Sequence, residues 1–253
     1  MRALKRPVAL ELFSGSGHLS KSWRKNRRTK HIPIFEWDIA WGEEMDLTKK
    51  SNQRILRTWM QQGFICMLWL GTPCNSWSRA RDRPGGPPPL RSNAELFGLP
   101  NLRPCDQLKV HVGNTLLKAS TSLLLLCLRL RIPAALENPN TSRLWLTPQI
   151  NHVLRHHGTK VFTVDYCQYD MPWRKRTKVL GVLLDLSSAS ALCSGRGICS
   201  ASNRPHVQLV GTHNGKFRTL EAEPYPHKLC RLWCNCFANA FLELPHKVLM
   251  AHV

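Results

Sequence analysis

Short, uninterrupted apolar runs separated by polar and glycine-rich segments are the dominant pattern along the chain. Such runs are typical of strands that are buried on both faces of a parallel sheet. Strands are predicted at 8–13, 32–35, 64–70, 132–136, 161–166 and 178–184. Helices are predicted at 106–130, 148–157 and 225–244. The first helix is apolar all round in its second half, which implies burial. The alternation of strands and helices predicts an α/β fold.

The first predicted strand runs directly into a glycine-rich turn that contains Gly15 and Gly17. Two glycines one residue apart at a strand-to-helix turn let the backbone approach a ligand and leave helix-start N–H groups free. Glu36 lies 21 positions after Gly15, the spacing at which nucleotide-binding folds place a ribose-binding acid. Asp38 follows it, and Asp46, after a short loop, could reach an adenine amino group. The alternative is that these acids are solvated strand ends.

The run at 64–70 delivers one cysteine, Cys74, onto a loop rich in Gly and Pro. A loop directly after a strand places this side chain at the carboxyl end of the sheet, where open α/β sheets bind ligands. Cys74 is therefore a candidate nucleophile. The alternative is that it only fills space, as one of ten cysteines. Glu137 and Asn138 follow the run at 132–136 and are expected at the same edge of the sheet.

The charge of the chain indicates a polyanionic partner. In 253 residues, 36 Lys and Arg against 16 Asp and Glu give a net charge of +20. Nucleic acid is the first candidate partner and an anionic membrane the second. No stretch approaches the roughly 18 uninterrupted apolar residues of a membrane span. Two basic loops, at 79–89 and 167–177, suit phosphate or base contacts, and the first is predicted to lack regular structure and to close over phosphates. The residues assigned to nucleic-acid contact are Arg79, Arg81, Arg174, Lys175 and Arg176.

The cysteines are expected to be reduced. The first residues are basic and run into a strand rather than a secretion signal, so an intracellular location is expected, and the nucleus in a eukaryote. Cys193, Cys199 and His206 lie close in sequence, and Cys167 precedes them on the second basic loop. Four such ligands would suit a structural zinc ion. Because Cys-x5-Cys is wider than common zinc spacings, ordinary unligated residues are the alternative.

Four blocks, in order along the chain, resemble the motifs of the cytosine-5 DNA methyltransferase family. The segment 11–17, Glu-Leu-Phe-Ser-Gly-Ser-Gly, is similar to the family's S-adenosylmethionine loop Asp-Leu-Phe-x-Gly-x-Gly, and Glu36-x-Asp38 resembles its ribose acid pair. The segment 71–78, Gly-Thr-Pro-Cys-Asn-Ser-Trp-Ser, resembles the nucleophile loop Gly-x-Pro-Cys-Gln-x-Phe-Ser. The segment 137–139, Glu-Asn-Pro, resembles the Glu-Asn-Val block. The chain departs from the family at 172–177, which only loosely resembles Gln-x-Arg-x-Arg, and it has no Gln-Gly-Asn block near its end.

The resemblance implies a Rossmann-like class I methyltransferase sheet with helices on both faces and a small inserted target-recognition lobe. The expected parts are a catalytic domain at 1–184, a recognition lobe at 185–223 and a closing helix within 224–253 that packs back on the catalytic domain. The implied activity is that of a monomeric DNA (cytosine-5-)-methyltransferase acting on a flipped-out cytosine. The alternatives are a catalytically inactive relative that binds nucleic acid, and an RNA cytosine-5 methyltransferase.

The resemblance also implies roles for individual residues. Cys74 would attack carbon 6 of cytosine as a thiolate, with Arg79, Arg81 or the positive end of a helix lowering its pKa. Glu137 would act at N3 of the base, and Asn138 would hold the geometry. The residues implied for binding S-adenosyl-L-methionine are Glu11, Phe13, Gly15, Gly17, Glu36, Asp38, Asp46 and Pro73.

Overall fold

A computed structural model describes residues 7–83 and 87–243 of the chain. Its elements, in chain order, are β1 (Val8–Leu12), α1 (His18–Lys25), β2 (Ile34–Trp37), α2 (Lys50–Gln61), β3 (Ile65–Leu70), α3 (Pro104–Leu130), β4 (Ala134–Pro139), α4 (Pro148–Leu154), β5 (Thr159–Asp165), β6 (Arg176–Val182), β7 (Thr212–His213), β8 (Lys216–Phe217), α5 (Arg218–Glu221) and α6 (His227–Glu243). Every predicted strand and helix is present, with ends that differ by up to three residues. Helix α2 is an addition that the sequence analysis did not predict.

The first six strands form one sheet in the order β2-β1-β3-β4-β6-β5. Neighbouring strands from β2 to β4 are parallel, whereas β6 runs antiparallel to both β4 and β5. The chain leaves β1 on one side to form β2 and returns to its other side to form β3, so the strand order reverses there. Open α/β sheets bind ligands at the carboxyl ends of the strands beside such a reversal. The predicted Rossmann-like α/β fold is confirmed.

Helices cover both faces of the sheet because alternate strand residues point in opposite directions. Leu10 faces one layer, where it joins Leu56 of α2 and the apolar side chains of α3 and α4 in a buried cluster. Ala9 faces the other layer, where it joins Trp23 of α1 and Trp233 of α6. No described helix is long and apolar enough to cross a membrane.

The segment predicted as a recognition lobe contains little regular structure. It consists of a hairpin of β7 and β8, the single turn α5 and an isolated bridge between Ile198 and Pro205. Tyr169 anchors the start of the segment, since its hydroxyl donates to the carbonyl of Ala189 at 2.6 Å and accepts from the N–H of Ala191 at 2.9 Å. Helix α6 then returns to the sheet and packs against α1, whereas residues 244–253 lie outside the described residues.

Candidate active site

The carboxyl ends of β1, β3 and β4 bring the predicted site residues to one edge of the sheet. Cys74 lies on the loop after β3, while Glu137 and Asn138 are the last but two and last but one residues of β4. The Nδ2 of Asn138 donates to the backbone carbonyl of Thr72 at 2.6 Å, which fixes the start of the Cys74 loop to β4. Glu137 is close enough to Cys74 for its carboxylate to raise the pKa of the thiol. The structure therefore places the three predicted catalytic residues together.

The glycine turn after β1 packs against the end of β2. Gly17 has φ of +64°, and a Cβ at this position would lie 2.5 Å from Oε2 of Glu36. The N–H of Gly15 donates to Oδ2 of Asp38 at 2.9 Å, and a Cβ on Gly15 would meet no atom within 4 Å. Phe13 leads into the turn with φ of 58° and donates its N–H to the carbonyl of Trp37 at 2.8 Å. The turn thus has open space beside Gly15 and carboxylates on its β2 side.

Glu11 has a different position from the other predicted cofactor residues. Its side chain is fully buried, and its Oε2 accepts the N–H of Ser20 at 2.9 Å and also the Ser20 hydroxyl. Burial raises the pKa of Glu11 to about 7, although both bonds from Ser20 act in the opposite direction. Because the carboxylate is enclosed by protein, Glu11 holds the first turn of α1 behind the glycine turn rather than facing the open edge.

The acids after β2 are partly engaged within the protein. Glu36 pairs with Arg24 at 2.7 Å, and Oδ1 of Asp38 accepts the N–H of Ala40 at 2.9 Å. Asp46 forms a turn of its own, since its Oδ1 accepts both the N–H and the hydroxyl of Thr48 at 2.8 Å. Glu36 and Asp38 therefore lie against the glycine turn, whereas Asp46 shapes the segment that leads to α2.

Two apolar side chains beside Asp38 were missed by the sequence analysis. Ile39 and Trp41 are 60% and 63% exposed, although they occupy a short 3-10 turn next to the acids. Large exposed apolar side chains close to a cleft suit a flat ligand ring. Their signal in the sequence is weak, because isolated apolar residues after a strand are common.

A buried arginine, Arg91, contacts and stabilises the Cys74 loop. The Arg91 guanidinium stacks on the ring of Trp77 at 3.4 Å, and it donates to the carbonyl of Ser76 at 3.0 Å and to its hydroxyl at 2.9 Å. The backbone N–H of Trp77 in turn donates to the carbonyl of Cys74 at 2.9 Å. Arg91 was another residue that the sequence did not single out, because it lies in a polar stretch typical of exposed loops.

The electrostatic environment of Cys74 differs from the prediction. Burial raises the pKa of its thiol to about 11, and the cation that opposes this rise is Lys175. The two arginines that were predicted to lower this pKa have other partners. Arg79 pairs with Asp82 at 3.5 Å, and Nε of Arg81 donates to the carbonyl of Pro88 at 3.0 Å. Arg79 and Arg81 belong to a loop whose residues 84–86 lie outside the described residues. Half-buried Pro73 precedes the cysteine.

Glu137 has one carboxylate oxygen engaged and one without a partner. Its Oε2 accepts the hydroxyl proton of Tyr225 at 3.1 Å, and its Oε1 is buried without a hydrogen-bond partner among the described residues. Burial raises the pKa of Glu137, while Lys175 and Tyr225 lower it. Tyr225 was not predicted as a site residue, since it lies 88 positions from Glu137 and in no recognisable motif.

The second basic loop directs its three cations in two directions. Arg174 and Arg176 both contact the buried carboxylate of Asp165, at 3.2 and 2.7 Å. Lys175 points the other way, toward Cys74, and its Nζ donates to the carbonyl of Ala222 at 2.9 Å. The side chains of Arg174 and Arg176 are about a third exposed, at 31% and 38%. All three predicted nucleic-acid residues of this loop therefore have contacts within the protein.

The predicted metal ligands come together behind this loop. One ligand atom each from Cys167, Cys193, Cys199 and His206 lies within 4.8 Å of the others, and the three cysteines are buried. The Sγ of Cys193 is 3.6 Å from Nε2 of His206. Burial raises the pKa of Cys193, but hydrogen bonds from Ser200, Gly195 and Cys167 together outweigh burial and bring the pKa to about 6, which favours the thiolate.

Comparisons with known proteins leave the family open. No protein-family model matches the chain, and no curated protein matches its sequence. Among solved structures, a methyltransferase of Entamoeba histolytica is similar, with 12% sequence identity and a TM-score of 0.40. The alignment covers 98% of this chain and 99% of that one.

Proposed function

We propose that this chain is an S-adenosyl-L-methionine-dependent DNA (cytosine-5-)-methyltransferase that works through a covalent adduct of Cys74. The observation that carries the proposal is the pairing of a thiol with a half-satisfied buried carboxyl group. Cys74 and Glu137 lie on neighbouring strand ends, and Oε1 of Glu137 has no partner among the described residues. Perturbed titratable groups that converge at a ligand-binding edge of a sheet are typical of an active site.

The glycine turn fits the cofactor. S-adenosyl-L-methionine, when bound, supplies an electrophilic methyl group on its sulfonium sulfur. The open space at Gly15 would let the cofactor lie close to the backbone of the turn, and the carboxylates of Glu36 and Asp38 would accept hydrogen bonds from its ribose hydroxyls. The exposed ring of Trp41 would stack against a purine. These residues hold and orient the cofactor and take no covalent part.

The chemistry at cytosine would use three side chains. The Cys74 thiolate forms a bond to carbon 6, and the electron pair of the ring double bond moves toward carbon 5. Glu137 gives a proton to N3, which relieves the negative charge that develops on the ring. Once carbon 5 carries the methyl group, a water molecule takes the carbon-5 proton, the bond between Cys74 Sγ and carbon 6 breaks, and N3 returns its proton to Glu137. Asn138 keeps the Cys74 loop in register with Glu137 through its bond to Thr72.

The charge of the chain supports a nucleic acid as the substrate. A net charge of +20 favours phosphate contacts, and Arg79 and Arg81 follow the nucleophile loop directly. Carbon 6 of a stacked cytosine cannot be reached by a thiol, so the base must be flipped out of the helix. DNA is the proposed substrate, and RNA is the alternative that the same basic surface would accept.

The test uses oligonucleotides that contain 5-fluorocytosine. The fluorine on carbon 5 cannot leave as a proton does, so the enzyme stays attached to the nucleic acid in denaturing gels after methyl transfer. Wild type should form the adduct in the presence of S-adenosyl-L-methionine, and Cys74→Ser should not. Cys74→Ser should retain its salt-sensitive binding, because phosphate contacts do not depend on the thiol. Cys105→Ser, at an exposed position on α3, is the matched control and should form the adduct normally.

Each alternative has its own outcome. An adduct with RNA and none with DNA would identify an RNA methyltransferase. Tight binding of several DNA and RNA sequences without any adduct would contradict the enzymatic proposal and favour the inactive relative. Glu137→Gln should bind equally well and form the adduct about a hundredfold more slowly, because the proton at N3 is lost.

We also propose that Cys167, Cys193, Cys199 and His206 hold a structural zinc ion. Zinc binds thiolates at about 2.3 Å and imidazole at about 2.0 Å, so tetrahedral ligand atoms lie roughly 3.5–3.8 Å apart. The 3.6 Å separation of Cys193 and His206 fits this arrangement. Arg174 donates to the carbonyls of Cys193 and Gly195, which joins the cluster to the basic loop. The ion would stabilise a segment with few apolar contacts.

Metal analysis of protein purified without added zinc tests this second proposal. Wild type and Cys105→Ser should carry about one equivalent, and Cys199→Ser should carry much less. Less than about a tenth of an equivalent in wild type would make these four residues ordinary side chains of the lobe.

A further inference from the structure

Tyr225 is held rigidly beside the active site by the segment that leads into α6. Its backbone carbonyl accepts a hydrogen bond from Nδ1 of His18 at 2.8 Å. Its ring packs edge-on against Trp69 and Trp233, with centroid distances of 5.7 and 5.3 Å. The position of the hydroxyl is therefore set by α1, β3 and α6 together.

The hydrogen-bonding partners of this hydroxyl fix the direction of its proton. The Nε1 of Trp69 lies 3.2 Å from the Tyr225 oxygen, and an indole N–H can only donate. The Tyr225 oxygen therefore accepts from Trp69, and its own single proton points to Oε2 of Glu137 at 3.1 Å. The C=O oxygen of a carboxylic acid is a better acceptor than its O–H oxygen, so this bond favours Oε2 as the unprotonated oxygen of a neutral Glu137.

We infer that Tyr225 is a positioning residue that keeps the proton of neutral Glu137 on Oε1, the oxygen that would donate to the base. This inference rests on the proposed function, and it names the atom from which N3 receives its proton. Oε1 is the buried oxygen without a partner, so it is free to donate to a ring nitrogen. After the transfer, the same Tyr225 hydroxyl stabilises the carboxylate that remains.

The groups that face Glu137 set the sign of the effect. Cys74 comes from the loop after β3, Tyr166 directly follows β5, Lys175 directly precedes β6 and Tyr225 lies in the segment before α6. Of these, Lys175 and Tyr225 favour the ionised carboxylate, and burial opposes them. Removal of the Tyr225 hydroxyl therefore raises the pH at which Glu137 titrates.

The experiment compares Tyr225→Phe with Tyr169→Phe in the full chain. Tyr169 is the matched control, because its buried hydroxyl bonds backbone groups of the lobe instead of a carboxylate. Isotope-edited infrared spectroscopy, assigned with Glu137→Gln, follows protonation of Glu137 against pH without any substrate. Tyr225→Phe should move this titration to higher pH, and Tyr169→Phe should leave it in place. Incorporation of 3-fluorotyrosine at position 225 keeps the packing and makes a stronger donor, so it should move the titration to lower pH.

The rate of adduct formation gives a second readout. Tyr225→Phe should slow the adduct by about tenfold or more at neutral pH, and the alkaline limb of its pH profile should move with the infrared titration. An unchanged titration in both Tyr225 variants would overturn the inference. Absence of an adduct in wild type would contradict the proposed function alone, since the infrared titration reads Glu137 directly.

Discussion

The side-chain amide of Asn138 and the backbone carbonyl of Thr72 form a hydrogen bond of 2.6 Å between β4 and the loop after β3. Both residues are almost fully buried, at 0% and 2% exposure. The bond spans 66 positions of sequence and joins the loop that carries the thiol to the strand that carries the carboxyl group. This amide thus helps to fix the position of Cys74 relative to Glu137.

Asn138→Ala should lower the free energy of unfolding by about 1–3 kcal/mol, because the buried carbonyl of Thr72 loses its donor. It should also slow the adduct with 5-fluorocytosine, since the Cys74 loop is released from β4. Asn151→Ala is the control, as its side chain is exposed and its bond to Leu146 is long, at 3.5 Å. Urea denaturation measures both variants, and equal losses in the two would contradict a special role for Asn138.

The sequence predicted the sheet because its strands are buried on both faces and therefore appear as continuous apolar runs. It also predicted the edge at which Cys74 and Glu137 meet, because parallel strands end together. Helix α2 was missed although Leu56 and Met60, which are buried, follow helical spacing among polar residues. The N-terminal end of α2 has no capping motif, since Lys49 makes no side-chain cap, and the helix-ending glycine at its other end, Gly63 with φ of +74°, was not recognised.

Contacts between segments that are distant along the chain could not be predicted from sequence patterns. Tyr225 reaches Glu137 across 88 positions, and no periodicity encodes that contact. Lys175 was expected to contact nucleic acid, yet its charge faces Cys74 because the neighbouring arginines are drawn to Asp165 on the opposite side. Which cation pairs with which carboxylate depends on the positions that these groups take in the folded chain.

Gly17→Ala should weaken binding of S-adenosyl-L-methionine by about tenfold or more, equivalent to at least about 1.4 kcal/mol. The added Cβ would lie 2.5 Å from Oε2 of Glu36 and would displace the acid proposed to hold ribose. Gly211→Ala is the control for backbone strain, because Gly211 also has positive φ, +74°, but no atom within 4 Å of its Cβ position. Titration calorimetry measures both. Unchanged affinity in folded Gly17→Ala would remove the glycine turn from the cofactor site.

Cys74 should react slowly with iodoacetamide at neutral pH and faster as the pH rises. Burial raises the pKa of the thiol to about 11, so only a small fraction is thiolate at rest. The Lys175 cation lowers this pKa, so Lys175→Met should shift the alkylation profile of Cys74 to still higher pH. Lys178→Met is the control, since that ammonium lies over the ring of Trp145. Mass spectrometry of the Cys74 peptide gives the rates, and identical profiles in both variants would show that Lys175 does not act on the thiol.

Gly71 and Tyr225 should be energetically coupled. A Cβ on Gly71 would lie 2.7 Å from the Tyr225 hydroxyl oxygen, and the ring cannot retreat because Trp69 and Trp233 pack against it. Gly71→Ala should therefore push the hydroxyl away from Glu137 and destabilise the protein. In a Tyr225→Phe background the oxygen is gone, so the same Gly71→Ala change should cost less.

A double-mutant cycle on the free energy of unfolding measures this coupling, which should fall between about 0.5 and 3 kcal/mol for groups in contact. Part of the Gly71→Ala cost should remain in the Tyr225→Phe background, because the carbonyl of Phe13 lies 3.0 Å from the same Cβ position. Strict additivity of the two changes would mean that Tyr225 yields to a side chain at position 71. In that case the hydroxyl would not be held firmly enough to fix the proton of Glu137, so the cycle tests the rigidity on which the role of Tyr225 depends.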